Sequence, residues 1–334
     1  MDVTTCDVWV DGRIVSGADA TVHVMTPSLH YGWGAYEGIR FYPADAPGLS
    51  GPLGFRLVEH LRRLIASARA LGMHVPYGEQ ELVEACAELV LRSGLSAGYL
   101  RPLVMLRPGA MSVAAQLDQV QVVIGCWRWS GYLPDADRGI RVRTSGWVRT
   151  GPAQIPPSVK STGGYLNPSL ARLEAVRGGD HEAILLNSAG RVAEASAANV
   201  FVVRDGVLVT PPIEEGILPG ITRDSLLHLA ADLGIPTQQR PLAPAELRTA
   251  DEVLLAGTAM EVVAVTTVDG MPVGEGRPGP VYARLRAAFD DAVAGRLPGR
   301  RDWVTDLSAV LSTRDQELPE DGKVLAAPGG KPVR

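Results

Sequence analysis

The sequence predicts a mixed α/β (α+β) fold in two domains, a small amino-terminal one followed by a larger carboxy-terminal one. Three observations predict it. The chain has 334 residues, more than one domain usually holds. Strand-like and helix-like patterns alternate in both halves. Between them, residues 128–138 (RWSGYLPDADR) form a connector rich in Gly, Pro and Asp. The division is therefore 1–127 for the small α/β domain, 128–138 for the connector and 139–315 for the second domain. The Pro- and Gly-rich residues 316–334 read as a disordered tail.

The elements follow in order. Residues 7–25 read as strand, turn and strand, because DVWVDGRIV sets an Asp-Gly pair between alternating residues. From 55 to 71 the apolar residues Leu57, Leu61, Leu64, Ile65, Ala68 and Leu71 recur on one helical face, which Gly72 ends. A second helix is predicted over about 79–92. The apolar runs YLRPLVML (99–106) and VQVVIGCW (120–127) read as strands. The second half opens with a strand near 140–148. After it comes a helix carrying Leu166, Leu170, Leu173 and Val176. NVFVVRDGVLVTP reads as a hairpin turning at Asp205-Gly206, LPGITRDSLLHLAADLGI as a turn opening directly into a helix, and DEVLLAGTA as a strand ending in a small-residue turn.

Composition narrows the function. With 46% hydrophobic and 21% charged residues the chain is an ordinary globular one. A net charge of -5 argues against nucleic acid as a partner, since phosphates call for a basic surface. No uncharged apolar run is long enough to span a membrane, and MDVTTCDVWVDG lacks a basic start and an apolar signal core, which together predict a cytoplasmic protein. Cys6, Cys86 and Cys126 stand far apart and read as reduced, mostly buried thiols. The six histidines show no metal-ligand spacing, so no metal site is predicted.

Lysine usage is sharper. Of 32 basic residues only Lys160, Lys323 and Lys331 are lysine, and the last two lie in the tail. Arginine replaces lysine as a surface charge but cannot form an imine. Lys160 is therefore either a chance survivor or a residue kept for its amine, and composition leaves both open. Within PPSVKSTGGYLNPSL, Tyr165 follows Lys160 by five residues, by itself a weak signal. Glu194, in RVAEASAANVFVV, reads alone as a strand-edge carboxylate. Gly220, Ile221 and Thr222 lie where free backbone amides at a helix start favour an anion, although Thr222 is equally an ordinary cap. In EHLRRL, periodicity does not choose between Arg62 and Arg63.

Taken together and in this order, these elements resemble the class IV (fold type IV) pyridoxal-phosphate-dependent aminotransferases, the branched-chain amino acid aminotransferase group. The resemblance spans roughly residues 8–290, and its longest match is SLHYGWGAYEGIRFY. It implies that the carboxy-terminal domain is a pseudo-barrel and that pyridoxal 5'-phosphate is held by Lys160 as a Schiff base. It gives Tyr165 to the ring oxygen and Glu194 to the pyridine nitrogen. Arg63, selected by the pattern H-x-x-R-L, and the Gly220, Ile221, Thr222 and Thr258 group go to the phosphate. On the substrate side it implies Tyr31, Tyr36 and Arg40, with Tyr99 and Arg101 from GYLRPLV. Met111 and Val113 from GAMSV reach the partner subunit's pocket, and Trp129, Tyr132 and Ala259 complete the substrate set. Core packing is the bland alternative for each aromatic.

The implied activity is transamination between a branched-chain or hydrophobic L-amino acid and 2-oxoglutarate by a homodimer or larger homo-oligomer. The chain departs from the pattern at Glu194–Asn199: E-A-S-A-A-N stands where E-G-x-G-E-N is usual, so Ala198 replaces a glutamate. Gly164 likewise precedes Tyr165 where asparagine is usual. These changes bear on substrate choice. They keep open a specialised biosynthetic substrate, beside a D-amino-acid aminotransferase or aminodeoxychorismate lyase of the same fold. Outside catalysis, a coenzyme-binding or scaffold protein is the remaining reading.

Overall fold

The structure is a computed structural model that describes residues 3–132 and 136–317. Residues 133–135 of the connector and residues 318–334 of the predicted tail, with Lys323 and Lys331, lie outside the described residues.

The amino-terminal half contributes β1 (Val8–Val10), β2 (Arg13–Val15), the short α1 (Pro27–Tyr31), β3 (Gly34–Tyr36), β4 (Ile39–Tyr42) and β5 (Leu53–Phe55). It continues with α2 (Leu57–Ala70), α3 (Glu79–Ser93), β6 (Gly98–Leu106) and β7 (Val120–Trp127). Asp11 and Gly12 both take positive φ at the first hairpin, as an Asp-Gly turn requires. The apolar face expected of α2 is the one it buries: Leu57, Leu61, Leu64 and Ala68 are fully covered and pack with Leu82, Leu89 and Val90 of α3 against Leu100, Val122 and Ile124 of the sheet. Each such leucine withdrawn from water stabilises the fold by about 1.5–3 kcal/mol.

The second half contributes β8 (Ile140–Val148), α4 (Leu166–Arg177), β9 (Glu182–Leu186), β10 (Val192–Ala195), β11 (Asn199–Arg204) and β12 (Val207–Thr210). Then come α5 (Ile221–Asp232), β13 (Thr237–Gln239), α6 (Pro244–Thr249), β14 (Glu252–Gly257), β15 (Glu261–Val268), β16 (Met271–Pro272) and α7 (Pro280–Val293). Its strands run in the order β10-β9-β8-β15-β14-β11, and β11 pairs back onto β10, so six strands close into a barrel. Alternation along the strands divides the packing. Phe201, Val203, Leu254, Ala256, Val262 and Ala264 meet Leu226 and Leu229 of α5 and Leu285 and Phe289 of α7. The intervening Val200, Val202, Val253, Leu255, Val263 and Val265 pack together on the other side.

Two features were not legible in the sequence. The chain returns to the first sheet at its end: β17 (Val304–Asp306) pairs with β5, and α8 (Leu307–Glu317) follows. The helix carrying Leu166, Leu173 and Val176 exposes all three and buries Pro168, Ala171 and Ala175 instead, packing its alanines on Ala183 and Leu185 of β9. Close approach of helix to sheet there needs small side chains, so alanine and not leucine marks the inner face.

Candidate active site

Closure of the barrel places the first functional side chain. The pair joining β10 to β11 is Glu194 opposite Asn199. Glu194 is 6% exposed and each of its oxygens is held. Oε1 accepts from Arg149 Nε at 2.8 Å, while Oε2 accepts from the Leu218 backbone N–H at 2.9 Å and from Asn199 Nδ2 at 3.2 Å. Burial raises its pKa above the ordinary carboxylate value, and the Arg149 charge opposes the shift. Gly220 approaches Asn199 so closely that a Cβ there would lie 1.9 Å from Asn199 Oδ1. Only glycine fits at that turn.

Lys160 lies between β8 and α4 and is fixed by the other half of the molecule. Its N–H donates to Ser67 Oγ of α2 at 3.1 Å, and its C=O accepts from the Tyr36 N–H at 3.1 Å. Its Nζ donates to Tyr165 Oη at 2.6 Å. Burial pushes the Tyr165 phenol up, but the Lys160 ammonium and its hydrogen bond outweigh burial and hold the phenol below its usual value.

Arg63 reaches the same place from α2, anchored by a carboxylate that no motif announced. Glu37 is fully buried and accepts from Arg63 Nε at 2.6 Å and from Arg63 Nη2 at 3.0 Å. His60 Nδ1 lies 2.7 Å from Glu37 Oε2, and Arg63 Nη1 donates to the Pro219 carbonyl at 2.8 Å. Burial opposes ionisation of Glu37, yet Arg63 and His60 hold its pKa well below the ordinary carboxylate range. Burial also lowers the His60 pKa, against the pull of Glu37.

One cavity gathers these groups: Lys160, Tyr165, Glu194 and Arg63, the start of α5 at Gly220, Ile221 and Thr222, and the turn after β14 at Thr258 and Ala259. Of the residues expected on the substrate side, Tyr36, Tyr99, Arg101 and Tyr132 also line it, and so does Gly38. A Cβ on Gly38 would lie 1.8 Å from Tyr99 Oη, so the glycine of Gly-Ile-Arg makes room for that hydroxyl. Arg101 lies over the rings of Tyr36 at 4.8 Å and Tyr99 at 5.5 Å, with its buried Nε lacking a hydrogen-bond partner among the described residues.

Other predicted residues stand elsewhere. Trp129 backs Tyr99, stacked at 4.9 Å, and donates to the Ala259 carbonyl at 3.2 Å. Arg40 pairs with Glu261 at 2.9 Å and faces a neighbouring cavity that Trp129, Tyr132 and Arg286 also line. Tyr31 and Val113 are 42% and 76% exposed, and Met111 is half-buried; none lines the main cavity. Sequence reasoning missed Arg149, Glu37 and His60. The last two sit inside quoted motifs, YEGIR and EHLRRL, but nothing in a spacing of 23 residues announces that they touch. Among the described residues no group of three or more His, Cys, Asp and Glu is placed to hold a metal, and no helix is long and apolar enough to cross a membrane.

Comparison with known proteins gives the family of the chain. The family profile of amino-transferase class IV matches residues 34–268. A branched-chain-amino-acid aminotransferase of Pseudomonas aeruginosa is 39% identical over 300 residues, covering 89% of this chain and 96% of that protein. The crystal structure of the Escherichia coli branched-chain amino acid aminotransferase superposes with a TM-score of 0.87 at 38% identity, over 91% of this chain and 99% of that one. The branched-chain amino acid aminotransferase of the archaeon Thermoproteus uzoniensis, with norvaline, has a TM-score of 0.85 at 38% identity, over 90% and 98%. A further branched-chain enzyme of this group, at a TM-score of 0.86 and 38% identity over 91% and 99%, is complexed with N-(5'-phosphopyridoxyl)-L-glutamate.

Proposed function

This chain belongs to the class IV aminotransferases, and on that premise we propose that it moves the amino group of a branched-chain or other hydrophobic L-amino acid to 2-oxoglutarate in two half-reactions, with pyridoxal 5'-phosphate as coenzyme. The observation that carries the proposal is the meeting, in one cavity, of a lysine amine, a tyrosine hydroxyl, a buried carboxylate and a helix start flanked by arginine.

The donor set fits that coenzyme group by group. Its aldehyde calls for an amine, which is Lys160. Its pyridine nitrogen calls for a carboxylate fixed in place, and Glu194 is held on both oxygens. Its ring oxygen calls for a hydroxyl, and Tyr165 stands beside Lys160 at 2.6 Å. Its phosphate calls for an anion cradle, which the free amides at the start of α5, Thr258 and Arg63 provide. Arg63 commits three nitrogen donors to Glu37 and Pro219, and the second hydrogens of its two Nη groups remain for an anion. When bound, the coenzyme supplies an electron-accepting ring that stabilises charge developing at the substrate's α-carbon.

The chain's own residues do the rest. Lys160 Nζ takes the α-proton and delivers it again, acting as base and then as acid. Tyr165 orients that nitrogen. Glu194 keeps a proton on the ring nitrogen, and Arg149 keeps Glu194 in place. The walls formed by Tyr36, Tyr99 and Tyr132 suit an apolar side chain, and Arg101 suits the distal carboxylate of glutamate.

The test is a set of half-reactions followed by coenzyme absorbance, with leucine and glutamate in turn. Arg101→Ala is expected to lower kcat/KM for glutamate roughly 10- to 100-fold more than for leucine, the loss of one hydrogen bond to a charged group. Equal losses would remove Arg101 from this role. The reading extends to a homodimer in which Tyr31, Met111 and Val113 meet the partner's cavity, a role that suits the exposure of Tyr31 and Val113. A single-chain mass in sedimentation would count against it.

A further inference from the structure

Among the described residues five cations line the cavity, Arg63, Arg101, Arg149, Lys160 and Arg172, against the single carboxylate of Glu194. Glu37 neutralises Arg63, and Glu194 neutralises Arg149. In the function proposed above Lys160 carries the coenzyme and Arg101 serves glutamate. Arg172 has no part in it, and no motif pointed to it.

Its position is informative. Tyr165 immediately precedes α4, and Ser169 and Arg172 follow it by four and seven residues, so the three fall on one helical face. All three line the cavity. Seven residues at the helical rise place the backbone of Arg172 about 10 Å along the axis from that of Tyr165, whose hydroxyl holds the Lys160 amine at 2.6 Å. Arg101, by contrast, shares the Tyr36 ring with Lys160, at 4.8 and 5.1 Å. The guanidinium of Arg172 stacks 4.1 Å over Tyr132. It forms a loose ion pair with Glu182 Oε2 at 3.6 Å, beyond hydrogen-bond range, and that oxygen is buried without a hydrogen-bond partner among the described residues. Burial raises the Glu182 pKa above the ordinary carboxylate value, and the Arg172 charge is among the groups that oppose the shift. Ser196 and Ala198 line the same cavity, Ala198 stands where the family pattern has a glutamate, and the one carboxylate of that stretch, Glu194, is held by Arg149.

We propose that Arg172, stacked on Tyr132, forms a second anion subsite of the cavity, one that receives a carboxylate at the end of a substrate side chain longer than that of glutamate. The inference rests on the aminotransferase reading and specifies its substrate class: linear dicarboxylic amino acids, beside the apolar ones.

The test uses the holoenzyme and two measurements. Half-reaction kcat/KM is determined for L-2-aminoadipate and for L-norleucine, an apolar side chain of similar reach, and adipate binding is measured by calorimetry without turnover. Arg172→Ala is expected to lower the aminoadipate-to-norleucine ratio roughly 10- to 100-fold and to weaken adipate comparably, while Arg172→Lys retains part of both. A ratio that moves less than about threefold overturns the subsite whatever happens to the absolute rates, as does adipate binding equally to wild type and Arg172→Ala. If the wild type reacts with leucine and glutamate but not with aminoadipate, the subsite is overturned; if it reacts with none of the four amino acids, the transamination reading fails, and the adipate measurement alone decides the subsite.

Discussion

Lys160→Ala protein, purified with pyridoxal phosphate present, is expected to lack the visible absorption of a lysine-bound coenzyme and to turn over at least about 10⁴-fold more slowly, the upper range for removing a general acid–base group. Both losses have one origin. Among the described residues, the Nζ that would hold the coenzyme is the only side-chain amine lining the cavity, and the arginines beside it stay protonated and cannot replace it. The far-ultraviolet spectrum is expected to stay close to wild type, and the unfolding midpoint close to that of coenzyme-free wild type, because Lys160 is fixed through its backbone, to Ser67 and Tyr36, and the variant keeps both bonds. A yellow and active Lys160→Ala protein would falsify the mechanism outright.

The second large effect lies behind the site. Glu37→Ala is expected to destabilise the fold by about 3–5 kcal/mol, because it strands the largely buried Arg63 without its counter-charge. Chemical denaturation measures the loss. The same variant should bind pyridoxal phosphate more weakly, since Arg63 loses the two contacts that aim it. The pH dependence has a definite sign. The folded-state pKa of Glu37 is depressed below its ordinary 4.5, so its contribution is complete above that value and is lost as pH falls below it. Glu37→Gln keeps the shape without the titrating proton. Its stability is therefore expected to fall less steeply than that of wild type in acid below about pH 4.5. Parallel acid profiles would show that the carboxylate's charge is not what holds Arg63.

Much of the fold could be read locally. The Asp-Gly pairs at 11–12 and 205–206 needed only the positive φ that those residues accept, and they form the turns expected of them. The long helix over 57–70 followed from an apolar stripe whose central members, Leu57, Leu61, Leu64 and Ala68, are all buried. The stripe on α4 misled, because helical period reports which residues are apolar and not which neighbour covers them. Residues 304–306 showed nothing in sequence of their return to the first sheet, since a three-residue edge strand is defined by its partner.

The chemistry divides along the same line. The sequence by itself determined which side chains are chemically able to act: the lone lysine before the tail, the tyrosine five residues after it, the carboxylate on a strand and the glycine that opens a helix. Those are properties of residue type and short spacing. Tertiary structure alone decided how they are charged and aimed. Barrel closure sets Glu194 against Asn199 and under Arg149. The joining of the two halves clamps Lys160, and packing within the first half buries Glu37 between His60 and Arg63. Protonation and orientation depend on partners within a few ångströms that lie tens of residues apart along the chain, and only the folded backbone brings them together.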